Sequence, residues 1–184
     1  VIFWLNGVQF SSFKSNGWPK VNVALGGKCI IGEGFRSNNR EMSNSIGCFH
    51  QCTIIVGKKG NLIIGKNVGM SSVAIVCHER IEIGNDVNIG GNVVIYDTDF
   101  HSLNPKDRLN RALAILNTKT KPIIIGKNAF IGAHSTILKG VIIGENSIVG
   151  AGSVVTKSIP SNEIWEGNPA KMIRNLNSTD SNTL

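Results

Sequence analysis

The chain has 184 residues and a formal net charge of +7, from 19 Lys and Arg against 12 Asp and Glu. With 41% hydrophobic and 17% charged residues it has a globular balance, which excludes a disordered chain. Its 21 Gly against 5 Pro, without a three-residue period, exclude collagen, and no apolar run is long enough to cross a bilayer as a helix.

The opening Val1-Ile2-Phe3-Trp4-Leu5 is short, has no basic residues before it and is followed by no cleavage pattern, so no signal peptide is read. Residues 1–30 have weak periodicity. They are read as a capping segment with aromatic anchors at Phe3, Trp4, Phe10 and Trp18. Residues 35–52 are irregular and distort an early coil. His50 falls there with no assigned role. Residues 1–54 together form an N-terminal cap and irregular first coil. Cys29, Cys48, Cys52 and Cys77 form no CxxC pair, which points to reduced, partly buried thiols and a cytoplasmic home.

A six-residue period runs through residues 55–159. Ile125, Ile131, Ile137, Ile143, Val149 and Val155 are each six apart. Four positions after each of the first five comes a small or β-branched residue: Ala129, Ser135, Val141, Ser147 and Ser153. The phrase recurs upstream at Ile83, Ile89 and Ile64, and weakly at Ile31. Six residues are too few for a helical repeat and fit one short strand and one corner. The aliphatic residue points inward, the small one packs beside it, and Gly or Asn turns the corner. Three units close a triangular coil of 18 residues, the spacing of Gly126 and Gly144. Gly65 and Gly84 are 19 apart, so one extra residue is placed near Cys77–Arg80. Gly84 and Gly126 are 42 apart, one coil plus a 24-residue insertion at about Asp97–Lys121. Its Leu109–Leu116 part predicts one or two helical turns. Stacked coils share one apolar core, giving an all-β parallel solenoid. Beyond it, Asn168-Pro169 predicts an N-cap and a short helix over Pro169–Leu176, within an extension at 160–176. Residues 177–184 are polar and read as a disordered tail.

The repeat, the His-bearing loop after Ile95, and Glu166-Gly-Asn-Pro-Ala-Lys-Met-Ile-Arg174 together resemble the hexapeptide-repeat acyltransferases. The resemblance covers about residues 55–176. It is nearest to the galactoside, maltose, streptogramin and capsular or lipopolysaccharide sugar O-acetyltransferases. It implies a left-handed parallel β-helix, a homotrimer, and acetyl-CoA as co-substrate in a groove between two subunits, with no metal required. Handedness comes from the resemblance, because parallel crossovers are normally right-handed.

Acetyl transfer to a hydroxyl requires removal of its proton, and a neutral imidazole suits that task. His101, in Tyr96-Asp-Thr-Asp-Phe-His101, matches the family's general base. Asp97 and Asp99 stand close enough in sequence to orient it, or equally to cap a turn. The resemblance makes the Ala133 N–H, at the Gly132-Ala133 corner, the oxyanion donor. It also makes Phe130 a neighbour of the acetyl-carrying arm. Gly150, Ala151 and Gly152 leave room for that arm. Lys157, Lys171 and Arg174 are read as a cluster meeting the coenzyme's phosphates. His134 is read as an exposed residue near the groove. Met70 and His78 occupy positions where galactoside acetyltransferases carry an amide and an acid toward the acceptor, and the chain departs from them at both. With Asp99 they form a weak acceptor set.

The basic surplus fits a small phosphorylated ligand better than nucleic acid, because aromatics are 6% and the basic residues are scattered. The resemblance implies a second and third copy and a small sugar acceptor as partners, and the composition adds the expectation of no nucleic acid and no stable membrane insertion. Two other readings compete. One is a γ-carbonic anhydrase-like zinc enzyme, which needs three His ligands where the chain has only His50, His78, His101 and His134 without a close pair. The other is a non-catalytic structural solenoid.

Overall fold

The computed structural model of the chain describes residues 2–47 and 49–177. Cys48 and the expected tail from residue 178 onward lie outside the described residues. Three parallel sheets form the sides of a triangular coil. The first sheet stacks Gln9–Phe10, Lys28–Ile31, Asn61–Ile64, Arg80–Ile83, Ile123–Ile125 and Ile142–Ile143. The second stacks Phe13–Asn16, Phe35–Asn38, Gly69–Ser71, Asn88–Ile89, Phe130–Ile131 and Ile148–Val149 before a terminal hairpin. The third stacks Lys20–Val23, Thr53–Val56, Ala74–Cys77, Val94–Tyr96, Thr136–Ile137 and Val154–Val155.

The repeat explains the interior. Ile125, Ile131, Ile137, Ile143, Val149 and Val155 are all buried, as are Ala129, Ser135, Val141, Ser147 and Ser153 beside them. Each coil thus adds a ring of aliphatic side chains to one continuous core. Asn and Gly divide the corner work. Asn67, Asp86, Asn128, Asn146 and Asn162 take positive φ, which these short polar side chains tolerate. They also stack: Asn128 donates to Asn146 at 3.1 Å, and Asn146 donates to Asn162 at 2.8 Å. The Gly of each Ile-Gly pair serves close approach instead. A Cβ on Gly126 would lie 2.7 Å from the Glu145 backbone nitrogen, inside contact distance.

The coil begins earlier than the periodicity indicates. Strands of all three sheets are in register from Gln9 onward. The period is hidden because Lys20–Val23 and Lys28–Ile31 begin eight residues apart, as do Thr53–Val56 and Asn61–Ile64. The aromatic cap is also composed differently. Phe3 is buried and packs on Phe10, Phe13 and Phe35 at ring distances of 5.6, 4.8 and 6.2 Å. Trp4 and Trp18 face outward and anchor nothing.

The C-terminal helix is not formed. Glu163–Gly167 and Ala170–Asn175 make an antiparallel hairpin, with a cis Asn168–Pro169 bond in its turn. Glu163–Gly167 pairs in parallel with Ile148–Val149. An unpaired sheet edge is a stronger determinant here than a local Asn-Pro cap, because pairing satisfies a whole row of backbone groups. The inserted loop leaves after Tyr96 and returns at Ile123. It carries the short helices Pro105–Arg108 and Arg111–Leu116, each with an Asn cap.

Candidate active site

The triangular coil sorts the expected site residues onto different corners. Between the second and third sheets, Gly132, Ala133 and His134 stack under Gly150, Ala151 and Gly152. A Cβ on Gly132 would lie 2.5 Å from the Ala151 nitrogen, so the coils meet backbone to backbone here. The Ala133 N–H has no hydrogen bond among the described residues, whereas Gly132 donates to Val149 O and His134 donates to Gly91 O. Among the described residues Gly91 and Ala151, one coil below and one above Ala133, likewise donate no bond. The bare N–H is therefore a property of this corner, repeated along the stack. Phe130 lies outward, half exposed, on the strand leading into it. Lys171 joins the same corner from the hairpin, paired opposite Glu166, whose side chain lies against Gly150. Arg174 lies further back, opposite Ile164.

The irregular segment after Asn38 rises from this same corner and folds over it. Asn92 fixes it, accepting from the Phe49 N–H at 3.2 Å and donating to Gly47 O at 3.2 Å. Phe49 packs on the exposed His134 ring at 5.8 Å. His50 O accepts from the Ser72 hydroxyl. Nothing in the sequence marks Phe49 as a neighbour of His134. The signal available was the position of the excursion, which leaves the coil at the same corner as Gly132-Ala133.

His101 sits elsewhere, on the inserted loop at the corner between the third and first sheets. It is exposed, and no group among the described residues bonds to its ring. The loop base is held by Asp97, which is fully buried. Its carboxylate accepts the backbone N–H groups of His78, Glu79 and Arg80 at 2.7, 2.8 and 2.8 Å. Asp97 is thus the turn cap of the two roles weighed for it. It closes the corner at 77–80, where one extra residue was expected. Asp99 accepts from Lys139 at 2.8 Å. His78 and Phe100 face each other at 6.5 Å, and Phe100 packs on Tyr96 at 5.1 Å. Lys157 follows the third-sheet strand Val154–Val155 and therefore lies on this side too.

The acceptor set is split. His78 and Asp99 share the His101 corner, while Met70 belongs to the second sheet and is 3% exposed, a core residue. Lys157, Lys171 and Arg174 do not gather in one chain either. A strand crossing the third sheet separates the two corners: Gly91, below Ala133, and Asp97 are six residues apart, roughly 15–20 Å at strand rise. The Ala133 corner and the base of the His101 loop thus lie at opposite edges of the third sheet.

Cys29, Cys52 and Cys77 are buried. Burial pushes the Cys29 thiol up to about 12. Burial, and then the Asp97 charge, do the same for Cys77. Both stay protonated at pH 8 and are poor nucleophiles. Among the described residues no three His, Cys, Asp or Glu gather as a metal site, and no helix is long and apolar enough to cross a membrane.

Comparison with known proteins bears on the repeat and the fold. Residues 122–157 match the family described as the hexapeptide repeat of succinyl-transferase. A Dictyostelium discoideum protein named as an acetyltransferase is 42% identical over 119 residues, covering 63% of this chain. The chain spans 58% of that relative's length. Among solved structures, the N-acyltransferase AntD from Bacillus cereus, in complex with dTDP and 3-hydroxybutyryl-CoA, superposes with a TM-score of 0.69 at 21% identity, covering 95% of this chain and 86% of AntD. An acetyltransferase structure from Bacillus cereus superposes with a TM-score of 0.61 at 23% identity, covering 94% and 80%. The chain carries the hexapeptide repeat at residues 122–157 and folds as a left-handed parallel β-helix.

Proposed function

We propose that the chain is an acetyl-CoA-dependent O-acetyltransferase that works as a homotrimer. Its acceptor would be a sugar hydroxyl in surface-polysaccharide synthesis, in the cytoplasm where acetyl-CoA is available. The observation that carries this reading is the corner at Ala133. An unbonded N–H stands there beside the exposed Phe130 ring, and the small residues Gly132, Gly150 and Ala151 leave the backbone open to a narrow ligand arm. Lys171 supplies a cation over the same corner.

The general base comes from a neighbouring copy. In one chain the base of the His101 loop and the Ala133 corner lie at opposite edges of the third sheet, so we place His101 of one copy against Ala133 of another. The outward face of the third sheet offers a contact for this. Ile55, Val76 and Tyr96 lie in register there, beside a second row of Val94, Thr136 and Val154. Two copies meeting beside this face bring the His101 corner of one to the Ala133 corner of the other. Lys157 then joins Lys171 and Arg174 across the groove.

In the reaction a ring nitrogen of His101 takes the acceptor proton as the hydroxyl oxygen attacks the thioester carbon. The Ala133 N–H stabilises the negative oxygen that develops. The carbon–sulfur bond then breaks, and the proton passes from imidazolium to the departing thiolate. No enzyme-bound acyl group forms.

Titration with acetyl-CoA by calorimetry tests the donor half. Saturable micromolar binding at one site per chain is expected. No binding at millimolar concentration would remove the donor and favour the non-catalytic solenoid.

A further inference from the structure

The outer face of the second sheet carries one row of residues in register across successive coils: Lys14, Arg36, Gly69, Asn88 and Phe130. The row begins with two cations and continues past Phe130 through Ile148 and Ile164 to Arg174; Phe130 is the point at which it borders the strand leading into the Ala133 corner. Two hollows lie along it and share Arg36 as a wall. The first, about 300 Å³, is bordered by Asn38, Ser71, Asn88, Gly90 and Phe130. The second, about 260 Å³, is bordered by Ser12, Phe13, Lys14, Gly34 and Asn67.

Arg36 lies flat between them. It lies over Gly69, where a Cβ would be in ordinary contact with the guanidinium at 3.5 Å. Among the described residues the guanidinium makes one hydrogen bond, a long one of 3.4 Å to Asn67 O. Among the described residues neither Arg36 nor Lys14 has a carboxylate partner. A guanidinium presents five donors in a planar fork that suits phosphate. Most of those donors are unused here.

We infer that this face binds the acceptor, and that the acceptor is a nucleoside-diphosphate sugar. This rests on the transferase reading above. The sugar occupies the first hollow, where the Asn38 and Asn88 amides and the Ser71 hydroxyl offer donors and acceptors to ring hydroxyls. Its reacting hydroxyl points to Phe130 and the Ala133 corner. The diphosphate lies on Arg36, three strand spacings or roughly 14 Å from Phe130, the reach of a hexose with its diphosphate. The nucleoside fills the second hollow beside Lys14 and Phe13. Ser12, Lys14 and Asn67 in its lining offer a nucleoside polar partners that a long prenyl chain would leave unpaired, which favours the nucleoside of the two common carriers of a sugar diphosphate.

The test titrates uridine, thymidine, guanosine, cytidine and adenosine diphosphates into the protein saturated with acetyl-CoA. At least one is expected to bind at one site per chain. Arg36→Gln is expected to weaken that binding tenfold or more, and Lys14→Gln less, while both leave acetyl-CoA affinity unchanged. Three outcomes would overturn the inference: no diphosphate binds, Arg36→Gln leaves the affinity as it was, or acetyl-CoA displaces the nucleotide, which would make this face the coenzyme's own. Farnesyl diphosphate binding in place of every nucleotide would also overturn it. Any of these with acetyl-CoA still bound leaves the transferase reading standing. Loss of acetyl-CoA binding itself would sink that reading separately.

Discussion

His101→Ala is expected to lower the rate of acetyl transfer by about a hundredfold or more, the usual cost of a lost general base. The assembly and acetyl-CoA affinity are expected to stay as they were. The side chain is exposed and bonds to nothing among the described residues, so its removal opens no cavity and strands no buried group. The whole effect should therefore fall on turnover. Steady-state kinetics with a competent acceptor and a calorimetric titration of the variant separate the two quantities. A rate within threefold of the parent would show that another group takes the proton, and the mechanism above would fail.

The largest expected effect on stability is at Asp97. Its carboxylate is buried and is shared by three backbone N–H groups at 2.7–2.8 Å. Asp97→Ala leaves three donors without their acceptor. Hydrogen bonds to a charged group are worth about 1.5–3 kcal/mol each and do not add fully, so a loss of about 3–5 kcal/mol is expected. Urea unfolding of variant and parent measures it. Asp97 is also the first residue of the inserted loop, so the variant should lose activity beyond what its folded fraction explains, as His101 loses its fixed base. A loss below 1 kcal/mol would mean that water replaces the carboxylate at this corner.

The middle of the fold was legible because six-residue spacing records which side chains point inward. Ile125 through Val155 and their small neighbours needed no tertiary information. The first coils were not legible, since longer corners at Ala24–Gly27 and Gly57–Gly60 break the period while the strands keep their register. The C-terminal segment was misread for a different reason. Asn-Pro suits a helix start, but Ile164-Trp165 and Met172-Ile173 flank Gly167-Asn168-Pro169 as two short β-prone runs flank a turn. That pattern was the available hairpin signal. Asp97 could be narrowed to two roles but not decided, because the backbone groups it caps are seventeen to nineteen residues away.

The candidate site was legible as residues and not as a place. His101, Ala133 and Lys157 follow from the resemblance, yet nothing in a list of positions says that two of them share one corner and the third another. Counting corners modulo three, with the inserted loop set aside, separates His101 from Ala133 and was the signal in the sequence. Phe49 and Arg36 were invisible for a simpler reason. Each gains its meaning from a strand that lies next to it only after the coil has closed.

The claim that base and oxyanion donor come from different copies is open to a direct measurement. His101→Ala removes the base, and Ala151→Trp fills the groove above Ala133 from an exposed corner. Each homotrimer should be inactive. Co-expressed and purified together, they form mixed trimers in which an intact His101 from one chain faces an intact Ala151 from another. Recovery of a substantial fraction of parental activity in the mixture is the result predicted here. Activity no higher than that of the two separate variants would contradict it and place the base and the donor corner in a single chain.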